Sequence, residues 1–241
     1  MKSERIVGLG GRRGRFVASI RYVLTALVFN AVVFSGAAIW DASAAETAPV
    51  RILALGDSLV AGYGLPAEQG FVPQLRAALA ALGVRAEIQQ GGVSGDTTAG
   101  GRARLAWALQ AKPHVAIVEL GGNDGLRGLD PADTKANLDA ILRRLKAAKI
   151  PVLLTGMLAP PNLGREYGAD FNAIFPALAK AHGVMLYPFF LDGVAADPRL
   201  NQRDGIHPNA AGVKIVAARI APYVKRLIAA ARDNEQARQA R

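Results

Sequence analysis

The chain of 241 residues contains no cysteine, only three histidines and few aromatic residues, which make up 6%. The lack of cysteine excludes a disulfide framework, a zinc site built on thiolates and a cysteine nucleophile. Three histidines, His114, His182 and His207, are too few to predict a histidine-rich metal site. The sequence therefore predicts neither a metal ion nor another cofactor.

Acidic residues are also scarce relative to basic ones, and the net charge is +10. Before Glu46, six basic residues face two acidic ones, so this segment carries +4 and the remainder about +6. The later basic residues are scattered along helical stretches, without the basic stripe and interleaved aromatics that nucleic-acid binding requires. We expect a solvated basic surface and no nucleic-acid partner. Hydrophobic residues make up 51% and charged residues 20%, which indicates a globular protein.

Residues 1–45 are typical of a signal peptide. A basic region, 1–21, precedes an apolar stretch, 22–40, and small residues follow in Ala42-Ser43-Ala44-Ala45, so that cleavage fits after Ala44 or Ala45. The apolar stretch approaches the length of a membrane-spanning helix, which makes an uncleaved anchor the alternative. We expect cleavage and a periplasmic or secreted protein, with membrane contact only through the leader where it is retained.

Residues 46–231 alternate apolar runs with amphipathic ones, and a polar tail follows at 232–241. The predicted strands, which are rich in Val, Ile and Leu, are 50–55, 84–89, 114–120, 152–157 and 184–186. The predicted helices are 73–82, 99–110, 132–149, 170–182 and 209–231. Strands with little polar alternation are typical of a sheet buried on both faces. We expect one α/β domain in which a five-stranded parallel sheet lies between helices, and a monomer as the default state.

Glycine and small polar residues follow the first four predicted strands. They form Gly56-Asp57-Ser58-Leu59 after the first, 91–97 after the second, 121–125 after the third and 158–162 after the fourth. Ligands of open parallel sheets bind outside the carboxyl ends of the strands. We therefore expect the functional site at this edge.

Ser58 lies where a strand gives way to a helix, and it is the candidate nucleophile. Asp204-Gly205-Ile206-His207 supplies a candidate base, because Asp204 lies close enough to bond the Nδ1–H of His207 and leave Nε2 free for the serine proton. A capping turn at Ser58 and a surface histidine beside a capping aspartate are the alternative interpretations. Ser94 is a second candidate nucleophile and ranks below Ser58.

A serine nucleophile also needs donors for the negative charge that develops on the carbonyl oxygen. The candidates are the backbone N–H groups of Ser58 and Gly95 and the side-chain amide of Asn123. Between glycines, Asn123 could equally form an Asx turn.

Taken together, Gly56-Asp57-Ser58-Leu59, Gly95, Gly121-Gly122-Asn123-Asp124 and Asp204-Gly205-Ile206-His207 resemble the four blocks of the SGNH hydrolase superfamily, also called GDSL esterases. Longer stretches around the last three blocks are similar to the bacterial periplasmic thioesterase I, lysophospholipase L1 and arylesterase branch. The resemblance implies a three-layer flavodoxin-like fold, a triad of Ser58, Asp204 and His207, and an oxyanion hole of Ser58, Gly95 and Asn123.

Two segments depart from that branch. The sequence has Gln90-Gly91-Gly92 where the branch often has Asn-Ala-Ser, at a position outside the proposed set of oxyanion donors. The loop 159–164 is more similar to arylesterase-like members, and this bears on the choice of substrate.

The expected function is that of an exported serine esterase or thioesterase that hydrolyses small acyl esters through an acyl-enzyme. Aryl esters, acyl thioesters and lysophospholipids are the candidate substrates. The candidate substrate-binding residues are Leu126, Leu158, Pro160 and Phe189. The alternatives are a carbohydrate O-deacetylase with the same triad and a non-catalytic binding module on this fold.

Overall fold

The computed structural model describes residues 48–239, in which five parallel strands form one sheet. The strands are β1 (Val50–Gly56), β2 (Ala86–Gly92), β3 (Val115–Glu119), β4 (Val152–Thr155) and β5 (Met185–Tyr187). Their spatial order is β2-β1-β3-β4-β5, so that β1 and β3 are neighbours near the centre. Gly56, the last residue of β1, is in register with Gly92 on one side and Glu119 on the other. The ends of these three strands therefore meet at one place.

Helices cover both faces of the sheet, as predicted. They are α1 (Ser58–Ala61), α2 (Phe71–Ala81), α3 (Thr98–Ala108), α4 (Gly122–Leu126), α5 (Pro131–Ala147), α6 (Arg165–His182) and α7 (Ala210–Gln239). Helices α2 and α7 pack against each other on one face, and α5 packs between α3 and α6 on the other. The result is the predicted three-layer α/β/α arrangement.

The sheet centre forms the core. Every residue of β3 and β4 is buried, as is every residue of β1 except Arg51. Strand β2 is different, because it is an edge strand in which only Gly91 is buried. The expectation that all five strands are buried on both faces is therefore wrong for β2, whose Glu87 and two glutamines already mark it as partly solvated. It is also wrong for β5, the other edge strand, in which Met185 and Leu186 are only partly buried.

Most predicted elements differ from the observed ones by one to three residues at an end, and the following differences are the most informative. Strand β2 begins at residue 86 instead of 84, because the Val84 N–H bonds the Leu79 carbonyl and closes the preceding helix. Helix α6 begins at Arg165, five residues before the predicted start. The last helix does not end near Ala231 but continues to Gln239, so most of the predicted polar tail is helical. This stretch is rich in Ala, Arg, Glu and Gln, which are good helix formers, and it contains no proline or glycine.

The predicted signal peptide, 1–45, lies outside the described residues. Between residues 48 and 239, no helix combines the length and the apolar character needed to cross a membrane.

Candidate active site

Ser58 lies at the junction between β1 and α1, and only Asp57 separates it from the last residue of the strand. Asp57 caps the helix, since its Oδ1 accepts the Leu59 N–H at 3.0 Å. Ser58 is thus the first residue of a helix, where backbone N–H groups have no intrahelical partner. The local sequence therefore supplies a side-chain hydroxyl and an available N–H at the same residue.

A chain of hydrogen bonds joins Ser58 to the far end of the sequence. His207 Nε2 lies 2.9 Å from Ser58 Oγ, and His207 Nδ1 lies 2.7 Å from Asp204 Oδ2. These three side chains have the connectivity of a nucleophile, a base and a group that orients the base.

Asp204 fixes the tautomer of His207. Burial acts to raise the pKa of the Asp204 carboxyl, but the backbone N–H groups of His207 and Ile206 and the His207 ring outweigh it and lower the pKa to about 2. Asp204 is therefore ionised at neutral pH and can only accept hydrogen bonds. His207 Nδ1 must carry the hydrogen, and the Nε2 lone pair faces the Ser58 hydroxyl.

Two residues that the sequence analysis did not single out hold His207 in place. Gln202 N–H donates to the His207 carbonyl at 2.7 Å, and Gln202 Nε2 donates to the Tyr63 carbonyl at 2.8 Å. The Tyr63 ring packs on the imidazole with 4.6 Å between centroids. Both residues lie outside the recognisable motifs, and only the fold brings them to the histidine.

The two other candidate oxyanion donors follow β2 and β3, Gly95 on a loop and Asn123 in the short helix α4. Residues 93–96 form a turn closed by the Asp96 N–H and the Val93 carbonyl, and Gly95 occupies it with a φ of +81°, which glycine accommodates best. Asn123 Nδ2 donates to Asp57 Oδ2 at 3.0 Å and to the Asp96 carbonyl at 2.9 Å. The Asn123 amide is therefore tied to the loop of Ser58 and to the loop of Gly95 at once.

A pair of buried carboxyl groups lies beneath Ser58 and Asn123. Asp57 and Glu119 are 1% and 0% exposed. Burial raises the pKa of Asp57 despite the hydrogen bonds that it accepts. Burial also raises the pKa of Glu119 well above its ordinary value, and the neighbouring Asp57 charge adds to that effect. In the sequence, Asp57 stands out only as part of Gly56-Asp57-Ser58-Leu59, and Glu119 only within the third predicted strand and at the start of the stretch that contains Asn123.

The glycines of Gln90-Gly91-Gly92, which depart from the related branch, have a steric role. A Cβ at Gly91 would lie 2.7 Å from the Ala54 carbonyl oxygen, and one at Gly92 would lie 2.7 Å from the Asp57 carbonyl oxygen. The end of β2 can therefore approach β1 closely. Arg104 then binds the carbonyls of Gly91 and Gly56, both at 2.7 Å, and ties the two strand ends together.

Ser94, the second candidate nucleophile, is exposed on the loop after β2. The hydroxyl that contacts His207 Nε2 belongs to Ser58. Ser58 therefore remains the preferred candidate for the nucleophile.

The four candidate substrate-binding residues differ in exposure. Leu126 ends the short helix that carries Asn123 and is 50% exposed, and Leu158 follows β4 and is 52% exposed. Pro160 is half-buried in the same loop as Leu158. Phe189 follows β5 and packs partly against the core. Of these four residues, the two leucines are the exposed ones.

Among residues 48–239, no group of three or more His, Cys, Asp or Glu side chains is arranged to hold a metal ion.

Comparison with known proteins agrees with this geometry. Residues 54–215 match the model of the GDSL-like lipase/acylhydrolase family. The chain belongs to this family. It is therefore an acyl hydrolase by family, and the matched segment runs from β1, just before Ser58, past His207 into the last helix.

Two curated relatives and one solved structure are similar over most of this domain. Esterase TesA of Pseudomonas aeruginosa is 39% identical over 76% of this chain and 92% of its own length. Thioesterase 1/protease 1/lysophospholipase L1 of Escherichia coli K12 is 40% identical over 78% of this chain and 87% of its own. The crystal structure of AlinE4, an SGNH-hydrolase family esterase, has a TM-score of 0.64 at 48% identity and covers 74% of this chain and 96% of that one.

Proposed function

We propose that this protein is an exported serine esterase or thioesterase that acts on small acyl esters through Ser58, His207 and Asp204. The observation that carries the proposal is the continuous hydrogen-bonded chain from Asp204 through His207 to Ser58 Oγ. Family membership supports the reaction class, and relatives named esterase, arylesterase and thioesterase support the range of leaving groups.

The reaction begins when His207 Nε2 takes the Ser58 proton and Oγ attacks the acyl carbonyl carbon. The carbonyl π electrons move to the oxygen, which accepts hydrogen bonds from the N–H groups of Ser58 and Gly95 and from one Asn123 amide hydrogen. That hydrogen leaves the Asp96 carbonyl when substrate binds, while the other amide hydrogen stays bonded to Asp57 Oδ2. The intermediate collapses, the bond to the leaving oxygen or sulfur breaks, and protonated His207 supplies the proton to that atom. Ser58 is left acylated.

Water completes the cycle by the same route in reverse. His207 takes a proton from water, the hydroxide oxygen attacks the acyl carbon, and the second intermediate expels Ser58 Oγ. The proton returns from His207 to Ser58, and a carboxylic acid leaves. Throughout, the Asp204 carboxylate stabilises the imidazolium that forms beside it.

The acyl group is proposed to extend from Ser58 across the ends of β3 and β4. These strands follow β1 in the sheet, and strand spacing puts the end of β4 about 10 Å from that of β1. The apolar side chains available on this path are Leu126 and Leu158, with Pro160 beside Leu158, while Phe189 lies one strand farther out. A path of this character suits an aliphatic or aryl acyl group.

The carbohydrate O-deacetylase alternative is less well supported. A sugar site favours polar groups and exposed aromatic rings, whereas the exposed side chains around this edge include Val93, Leu126, Leu158 and Ile206, with Tyr63 as the aromatic one. A non-catalytic binding module would not need the chain of hydrogen bonds that joins Asp204 to His207 and His207 to Ser58.

Export is supported by the basic, apolar and small-residue regions of 1–45. These residues precede the domain and contribute none of the proposed catalytic groups.

Hydrolysis of p-nitrophenyl esters and acyl thioesters of graded chain length by wild type and Ser58→Ala tests the proposal. Loss of a nucleophile that acts together with its base typically costs about 10⁶-fold in kcat, so we expect S58A to retain only background activity. Ser94→Ala is the matched control and should resemble wild type. Full activity in S58A, or loss in S94A alone, would contradict the assignment.

A further inference from the structure

Glu119 is a buried acid to which the reaction above gives no role. It ends β3, is 0% exposed, and its carboxyl lies over the last residue of β1, where a Cβ on Gly56 would be 2.5 Å from Glu119 Oε2. Oε2 accepts the Asp57 N–H at 3.2 Å, whereas Oε1 accepts no hydrogen bond from any described residue. A charge on this group would therefore be buried with one oxygen unsolvated.

Such a carboxyl is far more stable in its neutral form. An ionised carboxylate without sufficient hydrogen bonds is costly to bury, and a second carboxyl beside it adds repulsion. Asp57 lies beside Glu119, since its N–H donates to Glu119 Oε2 at 3.2 Å and its charge contributes to raising the pKa of Glu119. Neutral Glu119 has one O–H to donate, and the neighbouring Asp57 carboxylate can accept it.

Asp57 in turn contacts a group proposed to bind the oxyanion. Its Oδ1 accepts the Leu59 N–H, and its Oδ2 accepts Asn123 Nδ2 at 3.0 Å. A Cβ at Gly122, beside Asn123, would lie 3.2 Å from the same Oδ2, so the loop after β3 fits closely around Asp57. The orientation of the Asn123 amide thus depends on where the Asp57 carboxylate is held.

We propose that Glu119 is a positioning residue, which as a neutral acid donates a hydrogen bond to Asp57 and thereby fixes the Asn123 amide in the oxyanion hole. This inference rests on the proposed function of Ser58 and Asn123. Glu119 touches neither substrate nor the reacting atoms, and its effect is exerted through Asp57. A displaced donor stabilises the transition state less, so loss of the Glu119 hydrogen bond should lower kcat with little change in KM.

Two substitutions separate the hydrogen bond from the charge. Glu119→Gln retains an oxygen for the Asp57 N–H and an N–H for the Asp57 carboxylate, and Glu119→Met retains volume but has no donor. We expect E119M to lower kcat roughly 10- to 100-fold, because misplacing a catalytic group has effects of this size. E119Q should recover most of that loss.

Thr155→Val is the matched control. Thr155 is fully buried at the end of the neighbouring strand β4, and its hydroxyl bonds the Val118 carbonyl. The Thr155→Val substitution removes a buried hydroxyl without changing Asp57, so it should leave kcat within about twofold of wild type. An equal loss in T155V and E119M would overturn the proposal.

A double-mutant cycle with Asn123→Ala identifies the route of the effect. If Glu119 acts through Asn123, E119M should cause no further loss of kcat in the N123A background, since coupled residues are non-additive. An unchanged loss in that background would overturn the proposal. So would an E119Q enzyme as slow as E119M, because a charged role would then be indicated.

Infrared spectroscopy of the wild-type protein tests the neutral acid even where E119M does not fold. We expect the carbonyl band of a protonated carboxylic acid to persist at neutral pH and to vanish in E119Q. Its absence from wild type, or its survival in E119Q, would overturn the proposal. Failure of the proposed function gives a different result, since S58A would then remain active whatever Glu119 does.

Discussion

Asp204 and Glu119 are two carboxyl groups that serve one site from opposite environments. Asp204 lies on a loop, accepts hydrogen bonds from two backbone N–H groups and a histidine ring, and has its pKa lowered to about 2. Glu119 lies at the end of a central strand, and burial raises its pKa well above the ordinary value. In the proposed mechanism, one group is charged and orients the base, and the other is neutral and supports the oxyanion donor.

The two carboxyl groups differ in chemistry because their surroundings in the same fold differ. The hydrogen bonds on the loop stabilise a negative charge, and that charge stabilises a protonated histidine. In the sheet there is little to stabilise a charge, so burial raises the pKa of Glu119, and the proposed role of this acid is that of a neutral donor. Variants that alter one carboxyl at a time test whether the two roles are independent.

The largest effect is expected for Asp204→Asn. An amide can direct its N–H toward His207 Nδ1 and favour the tautomer with hydrogen on Nε2, which cannot accept the serine proton. The corresponding Asp→Asn substitution in the triad of a serine protease lowers kcat about 10⁴-fold, and we expect a decrease of about 10³- to 10⁴-fold here. Steady-state hydrolysis of a p-nitrophenyl ester measures it.

Asp197→Asn is the matched control for D204N. Asp197 is also a loop carboxylate with a pKa lowered to about 2, but the hydrogen bonds that lower it come from Arg199. D197N should therefore have nearly wild-type activity. Equal losses in the two variants would mean that loop integrity, not the contact with His207, explains the effect.

A smaller effect is expected on stability, and its sign should differ between the two carboxyls. Folded Glu119 retains a proton that the unfolded chain releases above its ordinary pKa of 4.5, so this group makes wild type less stable as pH rises. E119Q lacks this titration. Its free energy of unfolding relative to wild type should increase with pH above about 4.5, by at most about 1.4 kcal/mol per pH unit.

Asp204 should show the opposite trend, because its pKa is lowered on folding. The stability that it contributes is present above its ordinary pKa of 3.8 and is lost as pH falls toward 2. Urea unfolding of wild type, E119Q and D204N across pH measures both trends. A pH-independent difference between E119Q and wild type would show that Glu119 is ionised in the folded protein.

Much of the fold follows from local sequence patterns. The apolar runs around Leu53, Ile117 and Leu153 predict buried parallel strands because strands covered on both faces cannot alternate with polar residues. Strand β2 was harder to delimit, since an edge strand is partly solvated and its Gly91-Gly92 end is explained by close packing against β1.

The motifs that carry Ser58, Asn123 and His207 could be recognised because each is short and contiguous. The contacts of Tyr63, Gln202 and Glu119 join segments far apart in sequence, for example Glu119 with Asp57. A glutamate at the end of an apolar run gives no indication of which carboxyl it will meet. Only the register of β1 against β3 brings them together.

The central claim is that Ser58 is the nucleophile, and labelling with a fluorophosphonate followed by peptide mapping tests it most directly. The account predicts one phosphonyl group on Ser58, lost in S58A and strongly slowed in D204N, since the probe needs the same activated hydroxyl. Modification of Ser94 instead, or no modification of a folded wild-type protein, would contradict it.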